Sequence, residues 1–380
     1  MRRGLTVLLV VVALGVSGSA IAADVEVSGS LGISSSGGAR LIHSFGSSNF
    51  FAGASAVNSS MTGYWNNAFG IGTLSSISSG HANTAMGNQA LSADTTGNSN
   101  TAIGNGALFQ NLNGSNNIAV GDGALNTQTG GGGAAWETAN TAVGFDALFT
   151  NKASVVNFGF GNLSLGIYNT ALGAYALQNN SDGISNTAVG YWAGSAITNG
   201  TYNTFLGTGA DAAVGDLTYA TAIGFGAVVD ASYHVRIGNT LVTQIGGQVA
   251  WSNLSDMRAK TDIEDIGFGL EFVRSLRPVQ FRMINGNDRT DFGFIAQEIE
   301  SLLGTNYNIL GIGADSGRTL SLRYTDFIAP MVKAIQEQQA QIEGQAAIIE
   351  DQREEVSSLK GRLSDLEARL NRIDELMKIK

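Results

Sequence analysis

Asn83-Thr84-Ala85-Met86-Gly87 is followed by Asn100-Thr101-Ala102-Ile103-Gly104 and Asn117-Ile118-Ala119-Val120-Gly121, one phrase restated every 17 residues. Copies end again at Gly144, Gly173, Gly190 and Gly207, with weaker ones at Gly70, Gly161 and Gly224. Seven of the nine intervals between these glycines are 17 residues; the others are 23, across residues 130–133, and 12. Many copies continue Gly-x-x-Ala-Leu, as in residues 104–108. Within one unit the apolar runs Ala102-Ile103 and Ala107-Leu108 are too short to bury a face alone. Stacked units bury a continuous core, which is the logic of a solenoid. The recurring glycine suits a turn at positive φ or a close approach of two backbones. The recurring asparagine sets one side-chain amide above another. A register held through so many units argues against a disordered low-complexity segment. Residues 66–250 are therefore expected to form a mostly β, parallel solenoid, with residues 23–65 as the first segment of the same shaft.

Composition excludes much else. The 380 residues include 51 glycines, 2 prolines and no cysteine. Glycine at about 13% without a Gly-X-Y period rules out collagen. Disulfides, thiolate metal sites and a cysteine nucleophile are impossible. His43, His81 and His234 are scattered, so no metal and no cofactor is expected. A net charge of −10 argues against nucleic acid as a partner. The array offers no catalytic constellation, and its acids, such as Asp122 and Asp146, stand singly. Lys and Arg number 2 in residues 1–22, 3 in 23–250 and 16 in 251–380. Asp and Glu number 0, 10 and 21 in the same segments. Two kinds of protein join near residue 250.

The first 22 residues read as an export signal. Arg2 and Arg3 precede the apolar run of residues 5–16 (LTVLLVVVALGV), and Ala20-Ile21-Ala22 offers small residues for cleavage. The run is shorter than the roughly 18–20 residues of a membrane-spanning helix. No other segment is long and apolar enough to span, so a secreted or cell-surface protein without a transmembrane anchor is expected.

The array resembles the head repeats of trimeric bacterial adhesins and of phage tail fibres, which use a shorter Ser-Val-Ala-Ile-Gly-like unit in a left-handed parallel β-roll. That resemblance implies a trimeric shaft. The 17-residue period departs from the shorter unit.

Past residue 250 the character changes. Ser255-Asp256-Met257-Arg258-Ala259-Lys260 is followed by Leu276-Arg277-Pro278-Val279-Gln280-Phe281-Arg282, by Gly293-Phe294-Ile295-Ala296-Gln297-Glu298, and by Leu322-Arg323-Tyr324-Thr325-Asp326-Phe327. In this order the blocks resemble the C-terminal intramolecular chaperone domain of phage tailspikes and endosialidases, the S74 peptidase family. Ala259 stands where the family usually has Leu. The resemblance implies a small α+β chaperone domain over residues 251–330. It makes Ser255 the nucleophile and Lys260 the general base of a self-cleaving serine endopeptidase. The cut falls next to Ser255, with Leu254–Ser255 favoured, and Asp256 is a possible orienting residue.

The residues themselves permit that chemistry. A serine needs a base to attack a peptide carbonyl, and a lysine serves once burial lowers its pKa. Five residues apart, Ser255 and Lys260 do not share a helical face, but a turn between them can bring Nζ to Oγ. Without the resemblance, Ser255-Asp256 reads as a helix N-cap and Lys260 as a solvated charge. The spacing of Asp256, Asp262, Glu264 and Asp265 fits no familiar Ca²⁺ loop. Phe292, Phe294 and Ile295, beside Ile299 and Leu302, read as core.

Residues 331–380 carry heptads. Ile335, Ile342, Ile349, Val356, Leu363, Leu370 and Met377 occupy a; Gln338, Gln345, Gln352, Leu359, Leu366 and Ile373 occupy d. Glu355 with Lys360, Arg362 with Glu367 and Arg369 with Asp374 fit g–e′ pairing between parallel, in-register chains. The residues leave strand number open; the family resemblance implies three. The expected protein is a homotrimeric fibre with an adhesin-like shaft, meeting an unidentified cell-surface or glycan ligand. Its C-terminal domain would drive trimerisation and then release itself. The alternative is a fibre that never cleaves and keeps that domain as a clamp. A glycan-degrading tailspike fits poorly, because the shaft shows no carboxylate pair. With the coiled coil at the end there is no recognisable β-barrel anchor, so a complete trimeric autotransporter is not expected.

Overall fold

The computed structural model describes residues 33–34, 40–43, 48–56, 58, 60–129, 135–157, 162–284 and 288–378. The expected signal segment 1–22, the glycine run 130–133 and the copy ending at Gly161 lie outside the described residues.

Each coil of the shaft supplies one short strand to a common ladder. Phe50–Ala52, Asn67–Phe69, Thr84–Met86, Thr101–Ile103, Ile118–Val120 and Thr141–Val143 pair in parallel, in chain order. The ladder continues through Thr170–Leu172, Thr187–Val189, Thr204–Leu206, Thr221–Ile223 and Val235–Ile237. Equivalent residues sit opposite each other throughout, so this is a parallel β-solenoid of about ten turns. It starts one coil before the first recognisable copy, because residues 49–53 keep the 17-residue register without the full phrase. Ile33–Ser34 and Arg40–His43 add antiparallel strands over the N-terminal edge.

Alternation along each strand turns the middle residue inward. Ala68, Ala85, Ala102, Ala119, Ala142, Ala171, Ala188 and Ala222 form one buried row, and Leu74, Leu91, Leu108, Leu125, Leu148 and Leu177 another. Near the C-terminal end of the array both rows change size together. Gly194 takes the leucine position and Phe205 the alanine position of the next coil. A Cβ on Gly194 would come within 2.7 Å of the Phe205 ring, so volume is exchanged between rows at nearly constant packing.

Two polar rows lie inside the coil, and hydrogen bonding makes them tolerable. In the first, Asn49, Asn66, Asn83, Asn100, Asn117, Asn140, Asn169, Asn186 and Asn203 are all buried. Each Oδ1 accepts the backbone N–H of its successor, as from Asn100 to Asn83 (3.0 Å) and from Asn186 to Asn169 (2.9 Å). Nδ2 donates to a backbone carbonyl: Asn83 to Gly97 at 2.8 Å, Asn186 to Gly200 at 2.7 Å. The asparagine both turns the chain and binds coil to coil. The second row reads Ile77, Asp94, Asn111, Gln128, Asn151, Asn180, Ile197. Its amides interlock: Gln128 Nε2 donates to Asn111 Oδ1 (3.1 Å), and Asn180 Nδ2 to Asn151 Oδ1 (3.0 Å). Asp94 is the exception. Its Oδ1 accepts from the Gly97 N–H (2.8 Å), but Oδ2 is buried with no partner. Burial pushes this carboxyl up to about 7, opposed by the hydrogen bond from Gly97.

The interval from Gly144 to Gly173 is one coil, not two, because Thr141–Val143 pairs directly with Thr170–Leu172. The extra length forms an antiparallel hairpin, Val155–Asn157 with Asn162–Ser164, that leaves the coil just after the buried Asn151. The ladder therefore takes no strand from residues between Val143 and Thr170. The hairpin adds 12 residues to a 17-residue coil, which the glycine spacing alone presents as two coils.

From residue 240 the chain runs exposed to residue 267. A small domain follows: helix Leu270–Ser275, hairpin Val279–Phe281 with Asp291–Gly293, helix Ala296–Leu303, and hairpin Leu310–Ile312 with Leu320–Leu322. A 3-10 turn, Tyr324–Phe327, leads into helix Ile328–Lys378. Glu337 of this long helix accepts the Leu270 N–H (2.7 Å), capping the first helix from 67 residues away. Among the described residues the small domain's core cluster has Ile299, Ile309, Leu310 and Phe327 buried, with Phe272, Phe294 and Leu303 among those packed on it. Two residues expected in this core are outside it. Phe292 is 80% exposed, because strand alternation turns it outward beside exposed Gln280. On helix Ala296–Leu303, Ile299 and Leu303 face inward, and Leu302 is left exposed.

The glycine row makes a sharp prediction. Gly104 sits at φ +140°, and a Cβ there would lie 2.2 Å from the Gly121 carbonyl oxygen. Gly104→Ala should cost about 3 kcal/mol or more and lower the melting temperature of the shaft. Gly267→Ala, whose Cβ would meet nothing within 4 Å, should leave it unchanged in the same melt.

Asp94 makes a second. A carboxyl held at about 7 when folded and 3.8 otherwise is protonated in the folded shaft while the unfolded chain ionises. Stability is thus full below about pH 4, falls as pH rises towards 7, and levels off above that, losing on the order of 4 kcal/mol. Asp94→Asn should remove this slope and raise the melting temperature at pH 8 more than at pH 5.

Candidate active site

The segment between shaft and small domain holds no strand or helix except one 3-10 turn, Met257–Ala259. Asp256 caps that turn: its Oδ1 accepts the Arg258 N–H at 2.8 Å. The turn closes with the Ala259 N–H on the Asp256 carbonyl (3.0 Å) and the Lys260 N–H on the Met257 carbonyl (3.1 Å). The chain thereby doubles back, and Lys260 Nζ donates to Ser255 Oγ at 2.9 Å. The structure thus brings together the hydroxyl and the amine that the sequence singles out, and the N-cap role of Asp256 coexists with that approach.

Arg258 was not among the sequence candidates. Its guanidinium grips the Asp256 carboxylate, with Nη2 on Oδ2 at 2.7 Å and Nε on Oδ1 at 3.1 Å. This bond holds the Asp256 carboxyl below the usual carboxylate range. The signal was present as the Arg of Ser255-Asp256-Met257-Arg258-Ala259-Lys260, but nothing in the spacing says that this arginine turns back onto the aspartate.

Every residue from 240 to 267 is exposed in the single chain. Three apolar residues near Ser255 in the chain are exposed nonetheless: Trp251, Leu254 and Met257 are 78%, 82% and 73% exposed. A serine hydroxyl at hydrogen-bond distance from an amine is the pairing that attack assisted by a basic lysine requires. The solvent exclusion that such a lysine requires is not supplied by this chain's own packing. Among the described residues, no group of three or more His, Asp or Glu side chains converges as metal ligands. No helix of the described chain is long and apolar enough to cross a membrane.

Residues 255–306 match the family model Peptidase_S74, described as chaperone of endosialidase. The match begins at Ser255 and follows directly on the solenoid and its exposed connecting segment. No curated protein and no solved structure matches the chain.

Proposed function

We propose that this chain is exported, that three copies assemble into a fibre under the guidance of residues 251–380, and that the assembled protein then cuts itself beside Ser255. The approach of Lys260 Nζ to Ser255 Oγ, at the first residue of the family match, carries this reading. In the step proposed, Oγ attacks the Leu254 carbonyl carbon while Lys260 takes the hydroxyl proton. The C–N bond to Ser255 breaks, and the proton passes to its freed amine. Water then hydrolyses the resulting ester to the Leu254 carboxylate and restores the hydroxyl.

Two unpartnered apolar surfaces support assembly of copies. Along the long helix, Ile335, Ile342, Ile349, Val356, Leu363, Leu370 and Met377 are exposed. On the shaft, the outward strand position is apolar in coil after coil: Phe69, Met86, Ile103, Leu172, Leu206 and Ile237. Copies set side by side and in register would cover both. They would also cover Trp251, Leu254 and Met257, drying the dyad so that a neutral lysine becomes accessible. Cleavage would then follow assembly. Once the C-terminal part leaves, the shaft is what remains to meet a cell surface or glycan.

Three measurements test this. Full-length protein with Ser255→Ala should scatter light as a trimer and run as one band; a monomer would overturn the assembly reading. Wild-type protein should give fragments of roughly 23 and 14 kDa for residues 23–254 and 255–380, at about 0.10 kDa per residue in the glycine-rich shaft and about 0.11 beyond it, and Lys260→Ala should stay intact. A wild type that remains whole as a purified trimer favours the permanent clamp instead. Deleting residues 251–380 should leave the shaft aggregated, because open sheet edges and an uncovered apolar row invite mispairing; a soluble oligomer from the deletion would show the C-terminal part to be dispensable.

A further inference from the structure

We propose that Arg258 is a positioning residue for self-cleavage: by occupying the Asp256 carboxylate it keeps that carboxylate off Lys260 and leaves the lysine to Ser255. The inference rests on the self-cleavage reading and adds a role to it.

The argument is one of competing partners. Asp256 follows the nucleophile in the chain, and the turn returns Lys260 to the same place. An ammonium there has two acceptors to choose from, a serine hydroxyl and a carboxylate. The carboxylate is the stronger partner and fixes the lysine in its proton-holding form, which cannot act as a base. In the structure the choice has been removed. Asp256 Oδ1 takes the Arg258 backbone N–H and Nε, and Oδ2 takes Nη2 (2.7 Å) and Nε (3.2 Å). The planar guanidinium engages both oxygens side by side, which a lysine at this position would do only as a point charge. Lys260 Nζ is left on Ser255 Oγ. The other acids of this stretch do not intrude: Asp262 accepts the Thr261 hydroxyl (2.9 Å), and among the described residues neither Glu264 nor Asp265 forms an ion pair with Lys260. Within one chain no helix or strand packs against residues 254–266, all of which are exposed, so there the contest is confined to these four side chains.

The reading separates Arg258 from a residue that merely shapes the turn, because removing the competitor should make the arginine unnecessary. Cleavage of the full-length chain is followed by gel densitometry across pH 6 to 10, with light scattering to confirm that each uncut variant assembles. Arg258→Ala should slow cleavage at least about tenfold near pH 7 and recover at alkaline pH, a displaced profile equivalent to one pH unit or more. Arg258→Lys should fall between it and the wild type. The double variant Asp256→Asn with Arg258→Ala keeps an oxygen to cap the turn but no carboxylate. It should return to within a few-fold of the wild-type rate and profile. A double variant as slow as Arg258→Ala, or Arg258→Ala cleaving at the wild-type rate and profile, overturns the proposal while leaving the dyad standing. Wild-type protein that assembles but never cleaves removes both the dyad reading and this role.

Discussion

Every row of the shaft is governed by one constraint: each residue lies against its own equivalent about 4.8 Å above and below, the spacing of paired strands. A position can be occupied only by something that tolerates itself. Glycine meets this at the tightest contact, where Gly70, Gly87 and Gly104 approach so closely that a Cβ on any of them would strike the next carbonyl oxygen. Asparagine meets it by complementarity, because an amide carries both donor and acceptor and can hand a hydrogen bond from coil to coil. Charge does not. The array therefore carries few ionisable groups, and its adjacent acids show the strain: Asp146 is pushed up by burial and by the nearby Asp122. Asp94, alone among buried amides, is pushed up further.

This constraint explains why so much of the shaft was legible in sequence. A residue type dictated by self-contact must recur at the coil period, so glycine and asparagine write the register openly. Rows governed by volume alone are quieter, and the exchange of Gly194 for Phe205 breaks the phrase without breaking the core. The hairpin beyond Asn151 misleads for the same reason. Inserted residues escape the rule, and a chance glycine at 161 restores the 17-residue interval on paper while the backbone pairs Thr141 with Thr170.

The small domain obeys no such rule, and its packing was harder to read. Its core is four buried residues, so alternation decides little, and Phe292 and Leu302 could be placed in it by hydrophobicity alone. The candidate site was legible in part. The residue types of Ser255 and Lys260 carry the chemistry, but a separation of five is neither a helical nor a strand repeat. The approach of Nζ to Oγ depends on a turn held by Asp256 and Arg258, and that pairing is a fact of three dimensions.

The same self-similarity that stabilises a coil stack leaves it unable to choose an alignment between chains. If two shafts slide past each other by one coil, glycine still meets glycine and the outward apolar row still meets an apolar row, so the contacts change little in energy. A register that all copies share must come from sequence that does not repeat. Residues 251–378 have that property: a domain with a unique core, Glu337 reaching back to Leu270, and a helix whose seam changes from glutamine at d to leucine and isoleucine along its length. A heptad seam punctuated by polar d residues pairs well in one register and poorly in its neighbours. Such an element is needed while chains are being aligned. It is needed far less once many coils are locked together, since slipping would then require all of them to separate at once. A cleavable link between the repeating and non-repeating parts is thus consistent with the physics of the shaft, and Ser255 lies in the exposed segment between them.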